Sequence, residues 1–315
     1  MNKSNTNLPA TPQNQPQKPK FSVAITSKGY QALVNNTLGD PGRAKRFIAS
    51  ITSAVAVNPA LQECEAGTIL AGALLGESLN LSPSPQLGQY YLVPFKCKAK
   101  IDKRTNQVIE PECQKAQFIL GYKGYIQLAI RSGNYKKINV LEIKEGELKR
   151  FDPLSETFEC ELIADFAERE SAPTVGYYAM FEYVNGFVKA VYWTKDKMMS
   201  HADKYSPAFS AKAYADIQSG KMIVADKDKW KYSSFWYKNF DDMAKKTLLR
   251  HIISRWGVMS TEMQLAYEKD SSMATVGENN NIVTIPEADL NLTAEPEPIE
   301  PEFTEVIEQV DLDTV

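Results

Sequence analysis

The stretch 236–260, WYKNFDDMAKKTLLRHIISRWGVMS, constrains the fold more than any other part of this sequence. Wound as a helix at about 100° per residue, it sets Leu248, Leu249, Ile252, Ile253 and Trp256 on one face. Lys246, Thr247, Arg250, His251 and Ser254 share the other. Such a helix must be covered along its apolar side and left open along its basic side. The apolar face, Trp256 included, is read as core. Lys245 falls inside the apolar arc and Arg255 at its edge, where a cation needs a partner. Asp241 and Asp242 precede Lys245 and Lys246 by four residues, the favourable order for helix ion pairs. Lys245 therefore has two expected fates, pairing with Asp241 or reaching a polyanion from a groove floor. Ser233 or Ser234 is the expected N-cap.

The formal net charge of −3 conceals a division. Residues 270–315 hold 12 Asp and Glu and no Lys or Arg, so the rest of the chain sets 36 basic groups against 27 acidic ones, a net of +9. A basic body beside an acidic tail predicts a polyanionic partner for the body. No apolar run approaches the length of a membrane span and no signal-type segment opens the chain, so a soluble, cytoplasmic protein is expected. Cys64, Cys97, Cys113 and Cys160 form no CxxC pair and are expected as reduced thiols.

Residues 1–20 are rich in Asn, Gln, Pro and Lys and are expected as a disordered arm. Order is expected to begin near Phe21. Helices are predicted over 43–57 and 66–81, the first closed by Asn58-Pro59 and the second broken by Ser82-Pro83-Ser84-Pro85. Strands over 89–95 and 113–121 follow as partners, joined by a charged loop. Tyr122–Arg131 is predicted as a helix with Gly133 just past its end. Four more strands are predicted at 138–143, 158–162, 175–183 and 187–193, the last two joined through Asn185-Gly186. Short helices are expected over 195–204 and 207–219, and a loop over 221–231. Periodicity fades after Lys269, so 270–315 is expected as a flexible acidic tail. Within it, Phe303, Val306, Ile307 and Val310 form an apolar stripe at helical spacing, a docking segment over 302–311. The fold class predicted is α+β, a small curved antiparallel sheet with a β-hairpin packed against helices.

The chemistry of catalysis is thinly represented. There is no GxxxxGK[ST] loop, which argues against an ATP-driven mechanism. Gly121-Tyr122-Lys123-Gly124 is either a phosphate-approaching turn or simply a tight junction. Glu142-Ile143-Lys144 and Glu147-Leu148-Lys149 each fit half of a metal-dependent nuclease site, without a clear upstream metal-binding aspartate. The basic signal is stronger. Residues 96–137 carry ten Lys or Arg against three acids, with Tyr90, Phe95, Tyr122, Tyr125 and Tyr135 interleaved. Cations tracking phosphates and aromatics touching bases are what single-strand binding requires. Lys96, Lys98 and Lys100 alternate and would share one face of a strand.

These residues resemble a known family. QFILGYKGYIQLAIRSG (117–133) and FWYKNFDDMAKKTLLRHIISRWGVMS (235–260) are similar to two hallmark blocks of the RecT/Redβ family of phage single-strand annealing proteins, in its RecT branch. GQYYLVPFK (88–96) resembles the strand that precedes the first block. The similarity runs from about Leu33 to Met259. It implies an ATP-independent recombinase that coats single-stranded DNA, forms rings or helical filaments and anneals complementary strands through a duplex intermediate. It also implies the fold core of annealing proteins over 21–269, no required cofactor, and a phage exonuclease and host single-strand binding protein as partners. Whether Mg²⁺ aids DNA binding is left open. DNA contact is carried to Lys123 and Arg131 in the first block and to Lys245, Lys246 and Arg250 in the second. Lys96, Lys98, Lys115, Tyr122 and Tyr125 join them from the local pattern of cations and aromatics. A metal-dependent nuclease and a passive single-strand binding protein are the alternatives.

Overall fold

The computed structural model describes residues 19–102, 104–232, 234–277, 279–286 and 292–296. Phe21 opens the order and is already buried. Helices α1 (Phe21–Ala24), α2 (Lys28–Leu38), α3 (Pro41–Ala56) and α4 (Ala66–Ser78) come first. Ser27 caps α2 and Asp40 caps α3, each side chain accepting a backbone N–H bond of the first turn. Pro41 at the first position of α3 supplies a preset φ where no N–H bond is needed. Phe47, Ile51 and Val55 give α3 its buried stripe.

α4 is apolar on nearly every side because it is covered on nearly every side. It lies against a five-stranded sheet of order β11-β10-β4-β1-β12. These are β1 (Tyr90–Cys97), β4 (Cys113–Leu120), β10 (Met273–Val276), β11 (Ile282–Ile285) and β12 (Leu292–Pro296), with β2 (Lys100–Ile101) and β3 (Val108–Glu110) forming a separate ribbon between β1 and β4. Gly72 and Gly76 of α4 leave room for Leu92 and Tyr90. A Cβ at Gly72 would meet Leu92 Cδ2 at 2.7 Å, and one at Gly76 would strike the Tyr90 ring. β1 and β4 pair Tyr90 with Leu120 through Cys97 with Cys113 without a slip. Gly121 N donates to Gln89 O, which makes alternate pairs from there hydrogen-bonded. Pro94 falls opposite Ala116 at a non-hydrogen-bonded position, where its missing N–H costs the β1–β4 ladder nothing. All four cysteines carry free thiols.

Helix α5 (Tyr122–Arg131) leaves β4 directly, with the predicted bounds, and Gly133 follows at φ +72°. A second sheet, of order β5-β8-β9, is built from β5 (Tyr135–Lys144), β8 (Thr174–Tyr183) and β9 (Val188–Thr194). Gly186 turns the β8–β9 hairpin at φ +86°. A ribbon of β6 (Leu148–Asp152) and β7 (Thr157–Cys160) lies on the second sheet, with Phe158 stacked on Tyr178 at 4.0 Å. α6 (Phe166–Ser171) returns the chain to β8.

Five α-helices follow β9 and precede β10: α7 (Lys195–Tyr205), α8 (Ala211–Gln218), α9 (Phe235–Lys238), α10 (Phe240–Trp256) and α11 (Thr261–Lys269). The α+β class expected from sequence is the one observed. Its antiparallel strands form two main sheets rather than one, with α5 and α10 packed against each other and both reaching β5.

Several local expectations are corrected. The long helix breaks at Asn239 into α9 and α10 and ends at Trp256. Ser233 lies outside the described residues, and Ser234 makes no side-chain cap; its hydroxyl is buried without a partner. Residues 226–232, expected as loop, form a 3₁₀ turn. The alternation of Lys96, Lys98 and Lys100 does not lie on one strand, because β1 ends at Cys97 and β2 begins at Lys100. The boundary at 269/270 does not divide core from tail. Asp270 and Met273 are buried, and β10 pairs with β4. Moving the division to 286/287 still leaves a net of +7 before it and −10 after it. The docking segment 302–311 and most of the arm 1–20 lie outside the described residues.

Candidate nucleic-acid interface

α10 meets the second sheet with the apolar face its sequence dictates. Ala244, Leu248, Leu249, Ile252 and Ile253 are wholly buried against that sheet and α5. The opposite face borders an open groove of 540 Å³ between α10, α7 and α11. Lys246, Thr247, Arg250, His251 and Ser254, the basic face of the sequence, all line it. Arg255 lines it too, and His201 and Tyr205 of α7 and Tyr267 of α11 supply aromatic surface. Tyr205 is 64 % exposed.

The cations of α10 divide by depth. Asp270, just past α11, has a side chain with no solvent exposure. Lys246 Nζ donates to its Oδ1 at 2.9 Å and Arg250 Nη1 to its Oδ2 at 2.9 Å. Leu120 N at 2.9 Å and the Tyr125 hydroxyl at 3.3 Å complete the set. One carboxylate thus ties the end of β4, α5 and α10 together. Arg250 also stacks over Tyr267, 4.4 Å from the ring centre, and keeps part of its surface in the groove. Lys246 is 8 % exposed, a floor residue.

Lys245 pairs with neither Asp241 nor open solvent. Its Nζ sits 3.0 Å from Glu142 and 2.9 Å from Asp242, and 4.9 Å above the Tyr122 ring. Burial lowers its pKa, but the two carboxylates outweigh burial and raise it above the ordinary lysine value. Asp241 instead accepts a hydrogen bond from the Tyr177 hydroxyl.

The remaining expected contacts lie elsewhere. Tyr125 is fully buried, its hydroxyl pushed well up by burial and by Asp270, so its ring packs rather than stacks on bases. Arg131 turns back on α4 and donates to Leu79 O at 2.6 Å and Asn80 O at 3.2 Å, closing that helix's C-terminal end. Lys123 is exposed at the N-terminal turn of α5 and Tyr122 is half-buried beside it. Lys96, Lys98 and Lys115 sit toward the far end of the first sheet, with Lys98 exposed. Trp256, expected in the core, is 37 % exposed with Lys189 Nζ 4.1 Å over its ring. A Cβ on Gly121 or Gly124 would collide with Gly88 O or Gln89 O, so this pair serves a close backbone approach.

Sequence reasoning expected the helix over 195–204 but missed its place at the groove. Lys197 and His201 are spaced i, i+4, with Lys204 and Tyr205 one turn on, an overlooked basic and aromatic stripe. Lys197 lies 4.6 Å over Trp193, and Trp193 touches both histidines. Burial, then Arg255, Lys197 and His201, push His251 down to about 4. His201 is lowered by burial and by Lys197 and Lys204. In both rings burial is the larger cause and the neighbouring cations add to it. The nuclease half-motifs are occupied differently. Glu142 faces Lys245 and Lys144, which hold its carboxyl below the usual range against the opposing effect of burial. Glu147 is closed by Arg169 at 2.6 Å.

The α+β scaffold thus sets cations, histidines and aromatic rings along one open groove. The sequence profile of the RecT family matches residues 45–284, and the chain belongs to that family, whose members act in single-strand annealing and DNA recombination. It is similar to the uncharacterized protein YqaK of Bacillus subtilis (strain 168), 33 % identical over 305 residues, which cover 96 % of this chain and 87 % of that protein. It is also similar to protein RecT of Escherichia coli (strain K12), 26 % identical over 228 residues, covering 72 % of this chain and 71 % of that protein. Among the described residues no helix is long and apolar enough to cross a membrane.

Proposed function

We propose that this protein binds single-stranded DNA along the groove between α7, α10 and α11, self-assembles on it and anneals it to a complementary strand without nucleotide hydrolysis. The supporting observation is that the entire basic face of α10 opens into one groove, opposite His201 and Tyr205 of α7. Two complementary strands repel each other as polyanions. Lys and Arg along a groove neutralise one strand and release its counterions. Contacts made mainly to the backbone leave base edges free to test a second strand. Pairing then yields roughly 1.4 kcal/mol per stacked step, enough to drive annealing without ATP. Side-by-side assembly raises avidity steeply along the strand. An exonuclease that generates single strands and a host single-strand binding protein fit as partners, in the cytoplasm.

The test is annealing of complementary labelled oligonucleotides without ATP, across a salt titration. Acceleration over the protein-free rate, declining with salt, supports the reading. Binding without acceleration indicates a passive single-strand binding protein. Degradation of labelled DNA in Mg²⁺ that is lost on Glu142→Ala indicates a nuclease.

A further inference from the structure

Cys97 and Cys113 face each other across the last rung of the β1–β4 ladder. The rung lies an even number of steps from the bond between Gly121 N and Gln89 O, so it is a hydrogen-bonded pair. The α-carbons of such a pair are about 5.5 Å apart, and disulfides span separations of roughly 4.4–6.8 Å. Directly opposite residues project from the same face of a sheet. The Cys113 thiol is hydrogen-bonded to that of Cys97. The two sulfurs therefore need no backbone rearrangement to meet.

Beyond this rung the chain leaves the sheet. Residues 98–112 carry the β2–β3 ribbon, whose strands pair only with each other, and Ile101, Val108 and Ile109 on it are exposed. The rung is thus the neck of the ribbon, and the end of a ladder is where strands open most easily. The other two thiols are placed differently. Cys64 bridges Gln114 from the other edge of β4, and its thiol donates to Ala60 O at 3.6 Å. Cys160 belongs to β7, in the ribbon that lies on the second sheet.

We propose that Cys97 and Cys113 form a dithiol that a small disulfide such as oxidised glutathione converts into a cross-strand bridge, clamping the neck of the ribbon. Cys113 is half-buried and Cys97 is buried, so Cys113 reacts first. Its thiolate attacks one sulfur of the oxidant, forms a mixed disulfide and expels one small thiolate. The Cys97 thiolate then attacks the Cys113 sulfur and expels the second. Two protein thiols give up two protons and two electrons, and one oxidant disulfide becomes two small thiols. Burial, then Glu65 and Cys97, push the Cys113 thiol up to about 12 against the pull of Lys115. The dithiol is accordingly slow at neutral pH and quickens as pH rises. The bridge closes residues 98–112 into a loop that stays closed in the unfolded chain, which stabilises the fold.

Incubation of the full chain with oxidised glutathione, followed by thiol counting and peptide mapping without reductant, tests this. The count is expected to fall from four to two, with Cys97 joined to Cys113. The rate should rise about tenfold per pH unit below the Cys113 pKa. The bridged protein should unfold at a higher urea concentration than the reduced one. Cys113→Ser should keep its three thiols and gain no stability from the oxidant. Four thiols surviving at alkaline pH overturn the proposal, as does a bridge that includes Cys64. So does glutathione held on Cys113 without closure, or an unfolding midpoint that the bridge leaves unchanged. Should Cys113→Ser fail to fold, the linkage mapped in the natural chain decides alone.

Discussion

Lys246 and Asp270 form an ion pair of 2.9 Å in which the carboxylate has no solvent exposure. The two lie on either side of α11, and Arg250 and Tyr125 converge on the same carboxylate. The residue that most secures the basic helix therefore comes from the start of the acidic stretch.

Removing that carboxylate leaves a buried ammonium without its partner. Asp270→Ala should cost about 3–5 kcal/mol of stability, the usual penalty for breaking a buried pair on one side. Tyr125→Phe loses one long hydrogen bond and should cost about 0.5–1.5 kcal/mol, with single-strand affinity unchanged. Urea unfolding followed by tryptophan fluorescence measures both. An Asp270→Ala protein as stable as the natural one would contradict the network.

Groove cations should control DNA affinity and its salt dependence together. Arg255→Glu in the groove and Lys197→Glu, one turn before His201 on α7, leave the Asp270 network untouched and should weaken single-strand binding at low salt. Each lost phosphate contact reduces the slope of log affinity against log salt by about 1. Fluorescence anisotropy with a labelled oligonucleotide, repeated at several salt concentrations, reads both quantities. Affinity that falls without any change in slope would place these residues outside the phosphate path.

His251 gives a pH signature with a definite sign. Its folded pKa of about 4 lies below the ordinary 6.5. Between those values the unfolded chain binds the extra proton, so stability falls as pH drops from about 6.5 toward about 4. DNA phosphates in the groove favour the imidazolium, so binding should raise this pKa. An NMR titration of the imidazole proton with and without oligonucleotide measures the shift. No change on binding would remove the phosphate from the vicinity of α10.

Truncation separates the two parts of the C-terminal stretch. Ending the chain at residue 269 removes Asp270 and β10, leaving Lys246 and Arg250 unpaired, and should yield an unfolded or aggregated product. Ending it at residue 296 removes seven acidic groups while keeping every described strand. If the acidic end competes with DNA for the groove, that shorter protein should bind single strands more tightly at low salt. Equal affinity of the two forms would dismiss the competition.

Local patterns made much of the fold legible. The 3.6-residue period gave α5 its bounds, Asn185-Gly186 gave the β8–β9 turn, and alternation gave the β1–β4 pair. The basic face of α10 was equally visible, since its residues are neighbours in one helix. What stayed hidden depends on distance along the chain. Asp270 is one acid among many in its surroundings, and only the tertiary fold brings it to Lys246. Four-residue strands such as β10 are too short to show a period. The break at Asn239 was obscured because the apolar spacing continues across it. Trp256 was misassigned because a helical wheel shows which face a residue shares but not where its covering sheet ends.

The edge of β4 is completed late. Ser271 N donates to Phe118 O at 2.9 Å, and Phe118 N to Ser272 O at 3.1 Å. Some 154 residues separate these partners. At a ribosomal pace of roughly 5–20 residues per second, the nascent β4 waits on the order of 8–30 seconds for its neighbour. During that interval one margin of the first sheet offers unpaired amides to any other chain within reach. Biosynthesis of this protein is consequently most exposed to misassembly just before its C-terminal segment emerges, so chaperone demand and expression temperature should matter more to its yield than the stability of the finished molecule.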